Sequence, residues 1–292
     1  MFKGSLVALI TPMTESGAVD EEAFARFVEW QIHEGTKGIV PVGTTGESPT
    51  LSHDEHKRVV EIAVRVSAGR VPVIAGAGSN STSEAIDLTR HAKLAGADAA
   101  LVVTPYYNKP TQEGLYLHFA AIADAVDLPV FIYNIPPRSV VDMSVETMAR
   151  LAKHPNIVGV KDATASLVRP LHTTIACGPD FIQLSGEDHT ALAFLAAGGH
   201  GCISVTGNIA PRMCSQMHAA WNAGHLVDAM AIQSRLVGLH DAMFCEANPG
   251  PVKYAASLLG HTADHCRLPM APIAEATRTR VRAAMTAAGL MN

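Results

Sequence analysis

The sequence predicts an α/β protein, a (β/α)8 TIM barrel followed by a C-terminal helical extension, and three observations carry that prediction. Eight short runs rich in Val, Ile and Leu recur through residues 1–224. Between them lie helical patterns that open on capping residues and close on glycine. The runs are almost continuously apolar rather than alternating, as strands covered on both faces are in an all-parallel sheet. An open doubly wound sheet is the alternative that the same alternation allows.

In chain order the expected strands are 5–10, 37–42, 71–75, 98–104, 129–133, 157–161, 181–184 and 201–205. Helix starts are marked by Asp20-Glu-Glu before Phe24, by the capping box Ser52-His-Asp-Glu55, and by Ser83-Glu84 before Ile86. Stops are expected at Gly35, Gly69, Gly96 and Gly224. After Gly224 the strand signal disappears, and helices are expected over 226–244, 251–259 and 272–288, punctuated by Asn248-Pro-Gly-Pro251 and Leu268-Pro-Met-Ala-Pro272. No low-complexity linker intervenes, so the barrel (1–224) and the three-helix extension (225–292) are expected to pack as one unit.

Composition narrows the function. With 292 residues, 48% hydrophobic and 17% charged, the chain can bury a large core. A net charge of −5 without a basic block argues against nucleic acid and anionic membranes as partners. No apolar run approaches the roughly 18 residues of a membrane span. The five cysteines show no C-x-x-C pairing and read as small core residues in a reducing compartment, which suggests the cytoplasm.

In such barrels chemistry sits at the C-terminal ends of the strands. There the sequence places Gly43-Thr-Thr-Gly-Glu47, Thr104-Pro-Tyr-Tyr107, Tyr133-Asn-Ile-Pro-Pro-Arg138, Lys161 and Ser185-Gly-Glu187. Lys161 closes an apolar run, where an ammonium is costly unless paired; a neutral amine at a pocket mouth is a nucleophile toward carbonyls. The plain alternative is a strand-end lysine reaching water. By strand parity Lys161 and Gly159 share the inner face, Val158 and Val160 face the helices, and Gly159 leaves room for the lysine stem. Phe131 and Tyr133 share a face, so the Tyr133 phenol is expected beside Lys161 as a proton shuttle. The loop 43–47 reads either as turn chemistry or as a nest of amides and hydroxyls for a small carboxylate. It lacks the Gly-Lys-Ser/Thr ending of a nucleotide loop. His53 and His56 lack the H-E-x-x-H arrangement of a hydrolytic zinc site, and a lysine that forms an imine needs neither metal nor other cofactor, because the protonated imine is the electron sink.

Taken together, these segments resemble the dihydrodipicolinate synthase and N-acetylneuraminate lyase family of Schiff-base-forming class I aldolases. The resemblance runs end to end, through Gly4-Ser-Leu-Val-Ala-Leu-Ile-Thr-Pro-Met13, Val42-Gly-Thr-Thr-Gly-Glu-Ser48, Val103-Thr-Pro-Tyr-Tyr-Asn108 and Val252-Lys253. It implies that Lys161 forms an imine with pyruvate and that Tyr133 transfers protons, linked through Thr44 to a Tyr107 contributed by a neighbouring subunit. Thr45, Gly186 and the backbone at Ile203 would hold the pyruvate. Arg138 would bind the carboxylate of L-aspartate 4-semialdehyde, so the expected product is 4-hydroxy-tetrahydrodipicolinate, the first committed step of lysine biosynthesis through diaminopimelate. Arg138 and the Tyr106-Tyr107 pair favour that reaction over the sugar-acid aldolases and lyases of the same family. A non-catalytic barrel sensing a keto acid or lysine is the reading from a different class. The resemblance further implies a homotetramer built as a dimer of dimers, and an inhibitory lysine site formed by Ser48, His53, His56, Asn80, Glu84 and Tyr106. Three departures from the family pattern stand out: Pro49 beside Ser48, Gly250 in the Asn-Pro-x-Pro turn, and Asp162 after the lysine; the last two are expected to leave the chemistry untouched.

Overall fold

The computed structural model describes residues 1–291. Eight parallel strands form the sheet: β1 (Gly4–Ala8), β2 (Ile39–Val40), β3 (Ile74–Gly76), β4 (Ala99–Val103), β5 (Val130–Asn134), β6 (Ile157–Asp162), β7 (Ile182–Ser185) and β8 (Gly201–Ser204). Their hydrogen-bonded order is β2-β1-β8-β7-β6-β5-β4-β3. A parallel bridge between Ile39 and Val73, with Ile39 N–H donating to Pro72 O at 3.0 Å and Gly76 N–H to Pro41 O at 3.0 Å, joins the two ends. The expected (β/α)8 barrel is therefore present, with β2 reduced to two residues.

The helices between strands are α1 (Glu21–His33), α2 (His53–Ser67), α3 (Thr82–Ala95), α4 (Gln112–Ala125), α5 (Pro136–Ser139), α6 (Val145–Leu151), α7 (Arg169–Cys177) and α8 (Ala191–Ala196). After β8 come α9 (Pro211–Asn222), α10 (Leu226–Met243), α11 (Gly250–Leu258) and α12 (Glu275–Ala287). Local chemistry accounts for their ends. The Asp20 carboxylate accepts from Ala23 N–H, and Ser52 and Glu55 form the full capping box of α2. Gly96 caps α3 at φ 90°, a left-handed conformation that costs glycine little. The N-cap of α3 is Ser81, two residues before the expected Ser83 signal, so the helix opens at Thr82.

Side chains sort by strand parity. Leu6, Val40, Ile74, Leu101, Phe131, Leu184 and Ile203 fill the barrel interior. Val7, Ile39, Val102, Ile132 and Val160 face outward into the layer that holds Phe24, Phe27 and Phe119. Strand parity breaks at one place. Pairing of β5 with β6 jumps from Val130↔Ile157 to Phe131↔Gly159, so Val158 is the extra residue of a bulge. Val158 accordingly packs against the interior cluster rather than toward the helices.

Gly159 also serves a purpose other than the expected one. A Cβ there would come within 2.3 Å of Ile182 O and 2.7 Å of Phe131 Cε1. The space below Lys161 is thus filled by the Phe131 ring and the β7 backbone, and glycine is needed for the close approach. Of the cysteines, Cys202 and Cys214 are buried core residues as expected, whereas Cys177, Cys245 and Cys266 are only partly covered. Gly159→Ala is expected to destabilise the protein by about 1–3 kcal/mol through overpacking, read as a lowered urea midpoint with an unchanged slope.

Candidate active site

The bulge resets β5 and β6 so that Tyr133 pairs directly with Lys161. Both are buried, and Lys161 Nζ lies 4.1 Å from the centroid of the Tyr133 ring. The amine and the tyrosine meet as expected, but over the face of the ring, a cation–π contact rather than a hydrogen bond to the phenol. Among the described residues Lys161 makes no ion pair, which leaves the amine available to a ligand. The acidic groups nearby are themselves held back: burial, then Asp188, pushes the Glu187 carboxyl above its ordinary range, and burial does the same to Asp162.

Asp162, which follows the lysine, is tied into the mouth by its side chain and its backbone. Its carboxylate lies 3.1 Å from Arg169 Nε and accepts from Thr164 N–H and Oγ1. Its carbonyl accepts from Gly186 N–H at 2.6 Å. This bond draws the end of β7 so close that a Cβ at Gly186 would sit 2.7 Å from Ala163 Cβ. Ile203 directs its side chain into the barrel, so only its backbone faces the mouth. The turn beyond it is fixed by buried Asp188, which accepts from Ser204 Oγ, from Val205 N–H at 2.8 Å and from Thr206 N–H at 3.1 Å.

The loop 43–47 is strained and clamped. Val42 at φ 49° and Glu47 at φ 57° are left-handed residues without the freedom of glycine. Gly43 O accepts from Gly46 N–H at 3.0 Å and Thr11 Oγ1 donates to Gly46 O at 2.7 Å, closing the turn. Thr45 is buried, and its Oγ1 accepts from Asn248 Nδ2 at 3.1 Å. Glu47 Oε1 meets Lys253 Nζ at 2.6 Å, with the two side chains only 2% and 0% exposed, and Glu47 Oε2 accepts from Arg267 N–H at 2.9 Å. The sequence offered Asn248 only as part of a turn and Lys253 only as part of the family resemblance, with no site role for either. The signal that found Lys161, a lysine inside an apolar run, recurs at Pro251-Val-Lys-Tyr-Ala-Ala256.

A cavity of about 390 Å³ is lined by Thr44, Tyr133 and Arg138 together with a second group, Ser48, His53, His56, Glu84 and Tyr106; Lys161, Thr45, Gly186 and Ile203 are not among its lining residues. In the second group His53 Nε2 lies 2.7 Å from Glu84 Oε1, and Ser79 Oγ donates to Glu84 Oε2. Asn80 does not line the cavity; its Nδ2 donates to Tyr106 O at 3.2 Å. His56 is buried without a hydrogen-bond partner on either ring nitrogen, and burial lowers its pKa to about 4. Pro49 opens a single 3₁₀ turn over Ser48–Thr50 on the cavity wall. Tyr107 stands apart from all of these, 91% exposed at φ 69°, with its phenol outside this chain's own site.

The model of the dihydrodipicolinate synthetase family matches residues 1–288. This chain belongs to that family. A 4-hydroxy-tetrahydrodipicolinate synthase of Acidiphilium cryptum is 74% identical over 291 residues, covering 100% of each chain. The chloride-inhibited dihydrodipicolinate synthase of Acinetobacter baumannii, complexed with pyruvate, is 48% identical with a TM-score of 0.97 over 100% of both chains. The lysine-bound synthase of Cyanidioschyzon merolae is 39% identical, also at 0.97, over 99% of each. Dihydrodipicolinate synthetase family membership thus spans barrel and C-terminal helices alike.

Two outcomes test this geometry. Lys253→Met strands the buried Glu47 carboxylate and is expected to cost about 3–5 kcal/mol, of which Glu47→Gln in the same chain restores a large part; denaturation of both variants checks it. His56 is neutral when folded but titrates near 6.5 when unfolded, so protonation favours the unfolded state as pH falls from 6.5 toward 4. Its contribution is whole above 6.5 and declines by about 1.4 kcal/mol per pH unit below it. The loss of stability between pH 7 and pH 5 is expected to be smaller in His56→Asn than in the parent by about 2 kcal/mol, measured by urea unfolding.

Proposed function

We propose that this protein condenses pyruvate with L-aspartate 4-semialdehyde to give 4-hydroxy-tetrahydrodipicolinate, through an imine on Lys161. The observation that carries the reading is the Lys161 amine, buried at the barrel mouth, free of any ion pair among the described residues and lying over Tyr133. Nζ attacks C2 of pyruvate, the carbinolamine loses water, and loss of a methyl proton from the imine gives an enamine. The enamine carbon then bonds to the aldehyde carbon of the semialdehyde. The substrate's own amine attacks C2 and releases Lys161, closing the ring. No metal or other cofactor enters these steps.

In this reading Tyr133 moves the protons, with Thr44 and the Tyr107 of a second copy completing the relay. The near-total exposure of Tyr107 on one chain supports such an exchange between subunits, which needs at least a dimer; the proposed assembly is a homotetramer, a dimer of dimers. Thr45, Gly186 and the Ile203 backbone hold the pyruvate, and Arg138 grips the semialdehyde carboxylate with its planar fork. Free lysine is the proposed inhibitor, its ammonium held by Glu84 and neutral His56 and its carboxylate by Asn80 and Tyr106, with Ser48 and His53 closing the site. The lysine-bound Cyanidioschyzon merolae relative supports this. None of the described helices is long and apolar enough to cross a membrane, and five free cysteines suit the reducing cytoplasm, where we place the enzyme.

Borohydride reduction in the presence of pyruvate is expected to attach pyruvate to Lys161, seen by peptide mass; a folded protein without that adduct would refute the mechanism. Arg138→Ala is expected to keep the adduct while lowering kcat/KM for the semialdehyde by roughly a hundredfold or more, as loss of two charge-assisted hydrogen bonds implies. Calorimetric titration with lysine in the presence of pyruvate should show binding that is lost in Glu84→Ala.

A further inference from the structure

The contact between Thr45 and Asn248 joins residues 203 positions apart, and both side chains are buried. A hydroxyl has one proton to donate and two lone pairs to accept with. One lone pair of Thr45 Oγ1 is taken by Asn248 Nδ2, so the Thr45 proton has no use on that side. Thr45 Oγ1 makes no other hydrogen bond among the described residues. Asn248 Oδ1 is buried and has no partner either, so the contact with Thr45 is the only hydrogen bond this side chain makes among the described residues. Turned the other way, the amide oxygen would consume the Thr45 proton, and the hydroxyl could only accept.

The segment that carries Asn248 is clamped on both sides. Glu246 Oε1 accepts from Ala274 N–H at 3.0 Å and Thr277 Oγ1 at 2.6 Å at the start of α12. Lys253, one turn into α11, is locked to Glu47 at the end of the very loop that bears Thr45. Donor and hydroxyl are therefore fixed with respect to each other by a buried ion pair.

We infer that Asn248 is a positioning residue for keto-acid recognition: by donating to Thr45 Oγ1 it commits the Thr45 proton to the carboxylate of the bound 2-oxo acid. The C-terminal helices thereby set pyruvate affinity without touching the reacting atoms. This rests on the proposed reading of Thr45 as a carboxylate ligand.

The test compares Asn248→Ala, Asn248→Asp, Thr45→Val and the double variant Thr45→Val/Asn248→Ala in the full chain. The readout is the pyruvate concentration that half-saturates borohydride trapping, which reports only on folded protein, together with KM and kcat. Asn248→Ala is expected to raise half-saturation and pyruvate KM roughly tenfold, the worth of one well-aimed hydrogen bond to a charge, with kcat at saturating pyruvate and the semialdehyde KM within a few-fold of the parent. Asn248→Asp, nearly the same size, is expected to do more harm, because its carboxylate draws the Thr45 proton to itself and repels the ligand. The double variant should be no worse than Thr45→Val alone. Unchanged half-saturation in Asn248→Ala and Asn248→Asp, additive effects in the double variant, or a fall in kcat with pyruvate KM unchanged would each overturn the inference while leaving the imine mechanism standing. Absence of any adduct in the parent protein would instead bring down the mechanism, and the inference with it.

Discussion

The buried ion pair between Glu47 and Lys253 is the contact on which the mouth of the barrel depends. Neither group reaches water, so each is tolerable only because the other is present and because Arg267 N–H satisfies the second Glu47 oxygen. Arg267 extends the clamp: its guanidinium meets Glu55 at 2.5 Å and donates to Thr50 O at 2.6 Å, on the far side of the same loop. The left-handed backbone at Val42 and Glu47 is held between these anchors. A loop free to relax would shed that strain and lose the orientation of Thr44 and Thr45.

Close backbone approach sets the rest of the mouth. At Gly76 a Cβ would lie 2.3 Å from Val42 O, and at Gly186 2.7 Å from Ala163 Cβ. These glycines let β2, β3, β6 and β7 converge more tightly than side chains permit, so the loops that follow the strands meet over one opening. The bulge at Val158 has a complementary effect. It shifts β6 by one residue and so pairs Lys161 with Tyr133, both on the inner face.

One cavity is lined by Thr44, Tyr133 and Arg138 and also by the His53, His56 and Glu84 cluster, and residues 42–44, 48 and 49 contribute to its wall. A ligand seated against Ser48 and Glu84 would touch the loop that carries Thr44. Coupling between the two groups of residues then requires only that the ligand bind better to one arrangement of that loop than to another. Burial keeps His56 neutral across the physiological range, so its ring can accept a hydrogen bond from a cation.

The sequence by itself determined the eight strands, the alternation with helices, the three C-terminal helices and the strand-end set of Thr44, Tyr133, Arg138 and Lys161. These follow from local signals, namely apolar runs, caps, glycine stops and a lysine out of place, each legible within about ten residues. Tertiary structure decided what depends on partners distant in sequence. It revealed the bulge that turns Val158 inward, the Phe131 ring that fills the space beneath Lys161, the Asp162–Arg169 pair and the clamp of Asn248, Lys253 and Arg267 on the loop 43–47. Strand parity assumes an unbroken register, and only the pairing of β5 with β6 shows where it breaks. A buried charge announces itself in sequence as an anomaly, but its partner is chosen by the fold, because the desolvation that makes the pair necessary exists only once the chain has closed around it.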